Sequence, residues 1–278
     1  MSHFEEPQFV ITDPELWKAP NYRGLLAIDV GNTNIHFGLL QNEHWIFSWR
    51  ARTITDKMPD EYASLLRNFM MLSNLSLQAV TAVAISSVVP SLTGAFIELS
   101  QRYLKLDPLV VTNKTPMGMK IDIDQPEQAG ADRIVNSAAV VKLYGPPAII
   151  IDFGTATTFD IVSAEGAYAG GAIAPGIQVA HDALVSRTAR LHKVDLIPPP
   201  SVIGKNTIHA MQAGIFWGYV ALVEGMVARL KAEMGDPTVK VIATGGLAPL
   251  FNQHSNVIDI IATEITLEGL RIIYEMNS

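Results

Sequence analysis

Two aspartates stand where an apolar strand gives way to a glycine turn. Ala27-Ile28-Asp29-Val30-Gly31-Asn32-Thr33 runs on through Asn34, Ile35 and His36, and Ile150-Ile151-Asp152-Phe153-Gly154-Thr155-Ala156-Thr157 repeats the pattern. Gly31 and Asn32 suit a hairpin turn, and a turn alone accounts for them. It does not account for Asp29. A carboxylate at the end of an apolar strand is costly unless it has a partner, and a hydrated divalent cation is a natural one. The turn's backbone N–H groups, with the Asn32 and Thr33 side chains, could then cradle phosphate oxygens.

A third aspartate lies in Gln128-Ala129-Gly130-Ala131-Asp132-Arg133-Ile134-Val135-Asn136, with a helical pattern opening near Ala131. Asp132 reads in two ways. It can be a first-turn acid favoured by the helix dipole, followed by a surface arginine. It can also be a general base that takes a proton from a substrate hydroxyl, with Arg133 binding an anionic group or a transferring phosphoryl. Val241-Ile242-Ala243-Thr244-Gly245-Gly246-Leu247 is a strand that runs into a glycine pair, by itself an ordinary turn.

The elements that must carry these residues come in two series. Leu25–Asp29, Ile35–Leu40 and His44–Arg50 predict a three-stranded meander. A helix from Pro59 to Met71, a buried strand Ala79–Ser86, a helix Leu92–Leu104 with Ser91 as N-cap, a short strand Leu109–Thr112 and a helix Ala131–Tyr144 follow. Gly145-Pro146-Pro147 breaks the chain, and the series restarts. Strands are expected at Ala148–Asp152, Thr158–Val162 and Tyr168–Ile173, helices at Gln178–Leu191 and Asn206–Met234, a strand at Lys240–Thr244 and a closing helix at Leu267–Glu275. Matching motif and matching element order point to a duplicated α/β domain, with mixed sheets, flanking helices and a ligand site in the interdomain cleft. The expected division is an N-terminal extension over 1–23, a first domain over 24–146 and a second over 147–278.

Bulk composition narrows the chemistry. Of 278 residues 49% are hydrophobic and 17% charged, enough apolar material for packed cores. The net charge is −7, with no Lys/Arg cluster of the kind a nucleic-acid binder presents, so no nucleic-acid partner is expected. The absence of cysteine excludes disulfides, thiolate catalysis and zinc-thiolate or iron–sulfur sites. The acidic, proline-broken stretch at the start lacks the basic start and apolar core expected of a signal peptide, and stretches such as Ala79–Val89 are too short or too polar to span a bilayer; a cytoplasmic protein without a membrane partner is expected. His181, His192 and His209 lack metal-ligand spacing, Arg187 and Arg190 fall on a helix expected to be solvated, and the Met70-Met71 pair is expected in the core.

Two such hairpins, with a strand-to-Gly-Gly turn before the final helix, resemble the actin and hexokinase superfamily, a ribonuclease H-like duplicated fold. The resemblance then narrows. Asp29-Val30-Gly31-Asn32-Thr33, Gly130-Ala131-Asp132-Arg133-Ile134-Val135-Asn136, Ile151-Asp152-Phe153-Gly154-Thr155-Ala156-Thr157-Thr158, Gly170-Gly171-Ala172-Ile173-Ala174-Pro175-Gly176, Gly204-Lys205-Asn206-Thr207 and Ala243-Thr244-Gly245-Gly246 are similar to the motifs of type III pantothenate kinase, in order, from about Leu25 to Tyr274.

That resemblance implies ATP-dependent phosphorylation of pantothenate to 4′-phosphopantothenate, the first step of coenzyme A biosynthesis. It makes Asp29, Val30, Gly31, Asn32, Thr33, Asn34, Ile35 and His36 the first nucleotide loop, with Asp29 at Mg2+ directly or through water, and puts Thr155 against ATP. Gly130, Ala131, Asp132, Arg133 and Thr207 would bind pantothenate, with Asp132 as proton acceptor. Asp152 would hold a monovalent cation, K+ or NH4+. It also implies a homodimer that completes the pantothenate pocket, for which the long Asn206–Met234 helix is a candidate interface; plain core packing is the other reading of that helix. One position departs from the family: Ile123 stands where a tyrosine is often found, seven residues before Gly130. Two rival readings keep the hairpins: an actin-fold kinase for another small hydroxyl or carboxylate substrate, and a non-catalytic nucleotide-binding regulator. A regulator could dispense with the carboxylate at Asp132, which this chain keeps.

Overall fold

The structure is a computed structural model that describes residues 24–278; the extension over 1–23 lies outside the described residues. The chain divides into two compact units. One holds the described residues up to Gly118 with Glu127–Ala138 and Thr266–Ser278; the other holds Met119–Pro126 and Ala139–Ile265.

In the first unit β1 (Gly24–Val30), β2 (Asn34–Gln41) and β3 (His44–Arg52) form the antiparallel meander. α1 (Pro59–Leu72) leads to β4 (Ala82–Ser87), which runs parallel beside β1; α2 (Pro90–Leu99) leads to β5 (Leu109–Val110), parallel beside β4. The sheet order is β3-β2-β1-β4-β5. Strand alternation sorts β1 into two faces. Leu26, Ile28 and Val30 pack with Phe37, Tyr62, Leu66, Leu92 and Phe96 in the core under α1 and α2. Ala27 and Asp29 therefore face the other side, as do their cross-strand partners Gly38 and His36. Each fully buried Ile or Leu in that core stabilises by about 1.5–3 kcal/mol.

α3 (Ala131–Leu143) follows, and the second unit then repeats the plan. β6 (Ala148–Phe153), β7 (Ala156–Val162) and β8 (Tyr168–Pro175) form a second antiparallel meander. α4 (Ile177–Ser186), α5 (Thr207–Gln212), the π-helical stretch Ala213–Trp217 and α6 (Gly218–Met234) come next, then β9 (Lys240–Thr244), α7 (Ala248–Asn252), β10 (Ile260–Ile261) and α8 (Ile265–Asn277). The order β10-β9-β6-β7-β8, read from its far edge, is the first sheet's order, with the same parallel and antiparallel senses. The fold is thus mixed α/β with one sheet plan used twice.

Several boundaries differ from the sequence reading. The closing helix α8 belongs to the first unit, not to the half of the chain it ends. Leu267 would meet any Cβ at Gly38, Trp45 Nε1 donates to Glu268 Oε1 at 2.5 Å, and Gly269 leaves room for Val135 of α3. α2 starts at Pro90 with Val89 as N-cap instead of Ser91; proline's fixed φ suits a first helical position. α4 stops at Ser186 instead of Leu191, so Arg187 and Arg190 lie outside it. There the Ser186 and Thr188 hydroxyls donate to the carbonyls of Ala183 and Leu184, a side-chain competition that ends helices. Met70 is buried, whereas Met71 is exposed. Thr207–Met234 is, contrary to the sequence reading, a 28-residue helical stretch long and apolar enough to cross a membrane by length and composition. Its Phe216, Tyr219, Val220, Val223 and Val227 are buried in the core of the second unit.

Candidate active site

The first hairpin is built by strand register. Asp29 pairs with His36 and Val30 with Ile35, which leaves Gly31, Asn32 and Thr33 as the tip; Asn32, Thr33 and Asn34 are exposed while Val30 and Ile35 are buried. Gly31 N–H donates to Asn34 O at 3.0 Å, and a Cβ at Gly31 would sit 3.0 Å from that oxygen. Thr53, which the sequence reading missed, clamps the tip: its N–H donates to Thr33 O at 2.9 Å and its hydroxyl to Gly31 O at 2.7 Å. No motif marks Thr53; its position follows from the register of β3. His36 Nε2 lies 2.6 Å from Ser48 Oγ. Burial, reinforced by the Arg50 charge, lowers the His36 pKa to about 4, so the ring is neutral near pH 7.

Asp132 comes to the same end of the first unit's sheet. Val88 N–H donates to Val30 O at 3.1 Å, and a Cβ at Gly130 would lie 3.6 Å from Val88 Cγ1. That Cβ would also lie 2.6 Å from Asp132 Oδ1. Glycine at 130 is therefore what makes room for the carboxylate. Arg133 N–H donates to Asp132 Oδ1 at 2.7 Å. Burial raises the Asp132 pKa above its ordinary value, and the Arg133 backbone bond and charge oppose this only in part. A carboxylate with raised proton affinity, on the first turn of α3, suits a base better than a surface acid does. Ala131 and Arg133 flank it, both partly buried.

The second unit carries the second hairpin. Asp152 pairs with Thr158 across β6–β7 and with Thr244 of β9; Gly154 and Thr155 form an exposed tip. Two glycines press on it. Gly245, at φ +88°, would place a Cβ 2.8 Å from Asp152 Oδ1 and 2.6 Å from Phe153 O. Gly176 would place one 2.4 Å from Thr155 O, to which its own N–H donates at 3.1 Å. Gly176 closes the Gly170–Gly176 motif, and nothing in its local pattern marks this contact with the hairpin. The Tyr219 hydroxyl is bonded to Thr157 Oγ1.

Thr207 lies outside that hairpin in the chain. It opens α5 at an N-terminus capped by Asn206, whose Oδ1 accepts from His209 N–H at 2.9 Å. Gly204 packs against the α5 backbone, where a Cβ would lie 2.2 Å from Ala210 N. Gly204, Lys205, Asn206 and Thr207 line one end of a cavity of about 890 Å³, and Ile177, Leu184, Tyr219 and Leu222 supply apolar wall. His209 partners Asn206 and His181 is buried; among the described residues no group of three or more His, Cys, Asp and Glu could hold a metal by itself.

A sheet plan used twice, with an acid-tipped hairpin at the same place in each copy, is a duplicated α/β fold of the actin and hexokinase kind. Component A of (R)-2-hydroxyglutaryl-CoA dehydratase from Acidaminococcus fermentans shares that fold, with a TM-score of 0.54 at 12% identity over 92% of this chain and 99% of that one. Within the fold the family is narrower. The family described as type III pantothenate kinase matches residues 25–229. The type III pantothenate kinase of Roseiflexus sp. (strain RS-1) is 49% identical over 253 residues, which is 91% of this chain and 99% of that protein. That of Moorella thermoacetica is 49% identical over 254 residues, 91% of this chain and all of its own length. The chain belongs to the type III pantothenate kinase family.

Proposed function

We propose that the chain transfers the γ-phosphoryl group of ATP to the primary hydroxyl of pantothenate, giving 4′-phosphopantothenate for coenzyme A synthesis. The observation that carries this is Asp132: a carboxylate whose Oδ1 would lie 2.6 Å from a Cβ at position 130, with raised proton affinity, in a chain of this family. Phosphoryl transfer asks a protein mainly for positioning and charge neutralisation. Asp132 accepts the hydroxyl proton as the oxygen attacks. Arg133 holds the pantothenate carboxylate or the developing charge. The N–H groups and polar side chains over residues 29–36, with Thr155, receive the triphosphate.

Asp29 fits a magnesium site in being an anionic group beside an exposed polar tip. Mg2+ bound there would neutralise phosphate charge. Asp152 fits a monovalent cation because its carboxylate lies in a cradle that a Cβ at Gly245 would fill. Thr207 lies in the wall that receives pantothenate. Ile173, Val179, Ile197, Val202, Ile203 and Ile208 are large apolar side chains exposed in the second unit. These exposed apolar side chains support an interface, which we assign to a second copy of the chain, in a cytoplasmic homodimer.

A coupled ADP-release assay tests the reaction. ADP release that depends on pantothenate, and is faster in potassium than in sodium, is the expected result. Release indifferent to pantothenate defeats the reading.

A further inference from the structure

The loop of residues 187–206 joins α4 to α5 and delivers Lys205, Asn206 and Thr207 to the cavity described above. Two side chains pin its middle. Val194 N–H donates to Nε2 of His181 at 3.2 Å, and Gln212 Nε2 donates to Asp195 O at 3.1 Å. Lys193 and Asp182 add an ion pair at 2.8 Å, but it is exposed and therefore weak.

His181 is 1% exposed. Because its Nε2 accepts from Val194, its proton resides on Nδ1, a buried atom without a hydrogen-bond partner among the described residues. An apolar side chain in this place would avoid that cost. Packing therefore does not explain the imidazole, whereas its single bond to the loop does. Its neighbours on α4, Ala180 and Leu184, line the cavity, and so does Leu191 of the loop. The loop is thus a wall of the cavity, and its height over α4 is set at Val194 and Asp195. Resting on the assignment of pantothenate to Thr207, we propose that His181, with Gln212 as its companion, is a positioning residue for pantothenate. It touches no substrate; it acts through the Val194 amide on the segment that presents Lys205, Asn206 and Thr207.

The full-length protein is the right test object. His181→Leu removes the acceptor and keeps an apolar body. KM for pantothenate is expected to rise about tenfold, with kcat and the KM for ATP nearly unchanged, the pattern of lost ground-state positioning. His181→Gln offers an oxygen near the Nε2 position and is expected to restore most of the loss. Amide hydrogen exchange should be faster at Val194 in His181→Leu and near wild type in His181→Gln. A wild-type pantothenate KM in His181→Leu, a glutamine variant as poor as the leucine one, or unchanged exchange at Val194 overturns the proposal. Should His181→Leu fail to fold, Gln212→Met decides, with a raised pantothenate KM expected and an unchanged one overturning. If the wild type does not use pantothenate at all, the assigned reaction fails, and the exchange experiment still judges the His181–Val194 anchor on its own.

Discussion

Asp132 owes its properties to burial. Because burial holds its proton affinity above that of an ordinary carboxylate, the base is disarmed at a correspondingly higher pH. The acidic limb of kcat/KM for pantothenate should therefore lie above the carboxylate's ordinary 3.8, and activity should fall as pH drops through it. Asp132→Asn should fold normally and lose about a hundredfold or more in kcat, the usual worth of a positioned base; near-wild-type turnover removes the role. His36 makes the opposite kind of statement. Its folded pKa of about 4 lies below the 6.5 of the unfolded chain, so on acidification the unfolded state binds the proton first. Stability from this group is complete above 6.5 and lost as pH falls toward 4. Urea unfolding at pH 7 and pH 5 should differ by about 2 kcal/mol from this ring alone, and His36→Gln should remove that part of the difference.

The hairpins and turns show why so many glycines crowd the motifs. Gly130 makes room for the Asp132 carboxylate, and Gly245 for Asp152 together with the Phe153 carbonyl. Gly245→Ala adds backbone strain at φ +88° to a collision with Phe153 O, and should cost about 1–3 kcal/mol in urea unfolding as well as raise the KM for ATP. An alanine as stable and active as wild type would show that the turn relaxes freely. Gly130→Ala acts more locally. It should lower kcat at least about tenfold with little change in the KM for ATP, because it displaces Asp132 and leaves the hairpin alone. The hairpins were legible as elements because strand, turn and strand are short-range patterns. The clamp by Thr53 was not, since it depends on where β3 lies against β2.

For the molecule as a whole, duplication and assembly matter most. Both sheets run in one order with one set of strand senses, so the two aspartates occupy equivalent strand ends. The exposed apolar side chains of the second unit predict a dimer in light scattering. Ile208→Glu should shift it toward monomer and reduce pantothenate turnover in parallel. A variant that stays dimeric and active places the interface elsewhere.

The motifs, their spacing and the repeat of apolar strand, aspartate and glycine turn were readable in the chain, because each is a local pattern and because strand alternation alone sorts its side chains into two faces. The packing of α8 on the first unit, the truncation of α4 at Ser186 and the anchoring of Val194 by His181 were not. Each is a contact between residues distant in sequence or a contest between side-chain and backbone hydrogen bonds, and its outcome depends on which surfaces meet. Asp132 joins both halves: its place in a helix's first turn is local, but its raised proton affinity comes from what surrounds it, and that exists only once the chain has folded.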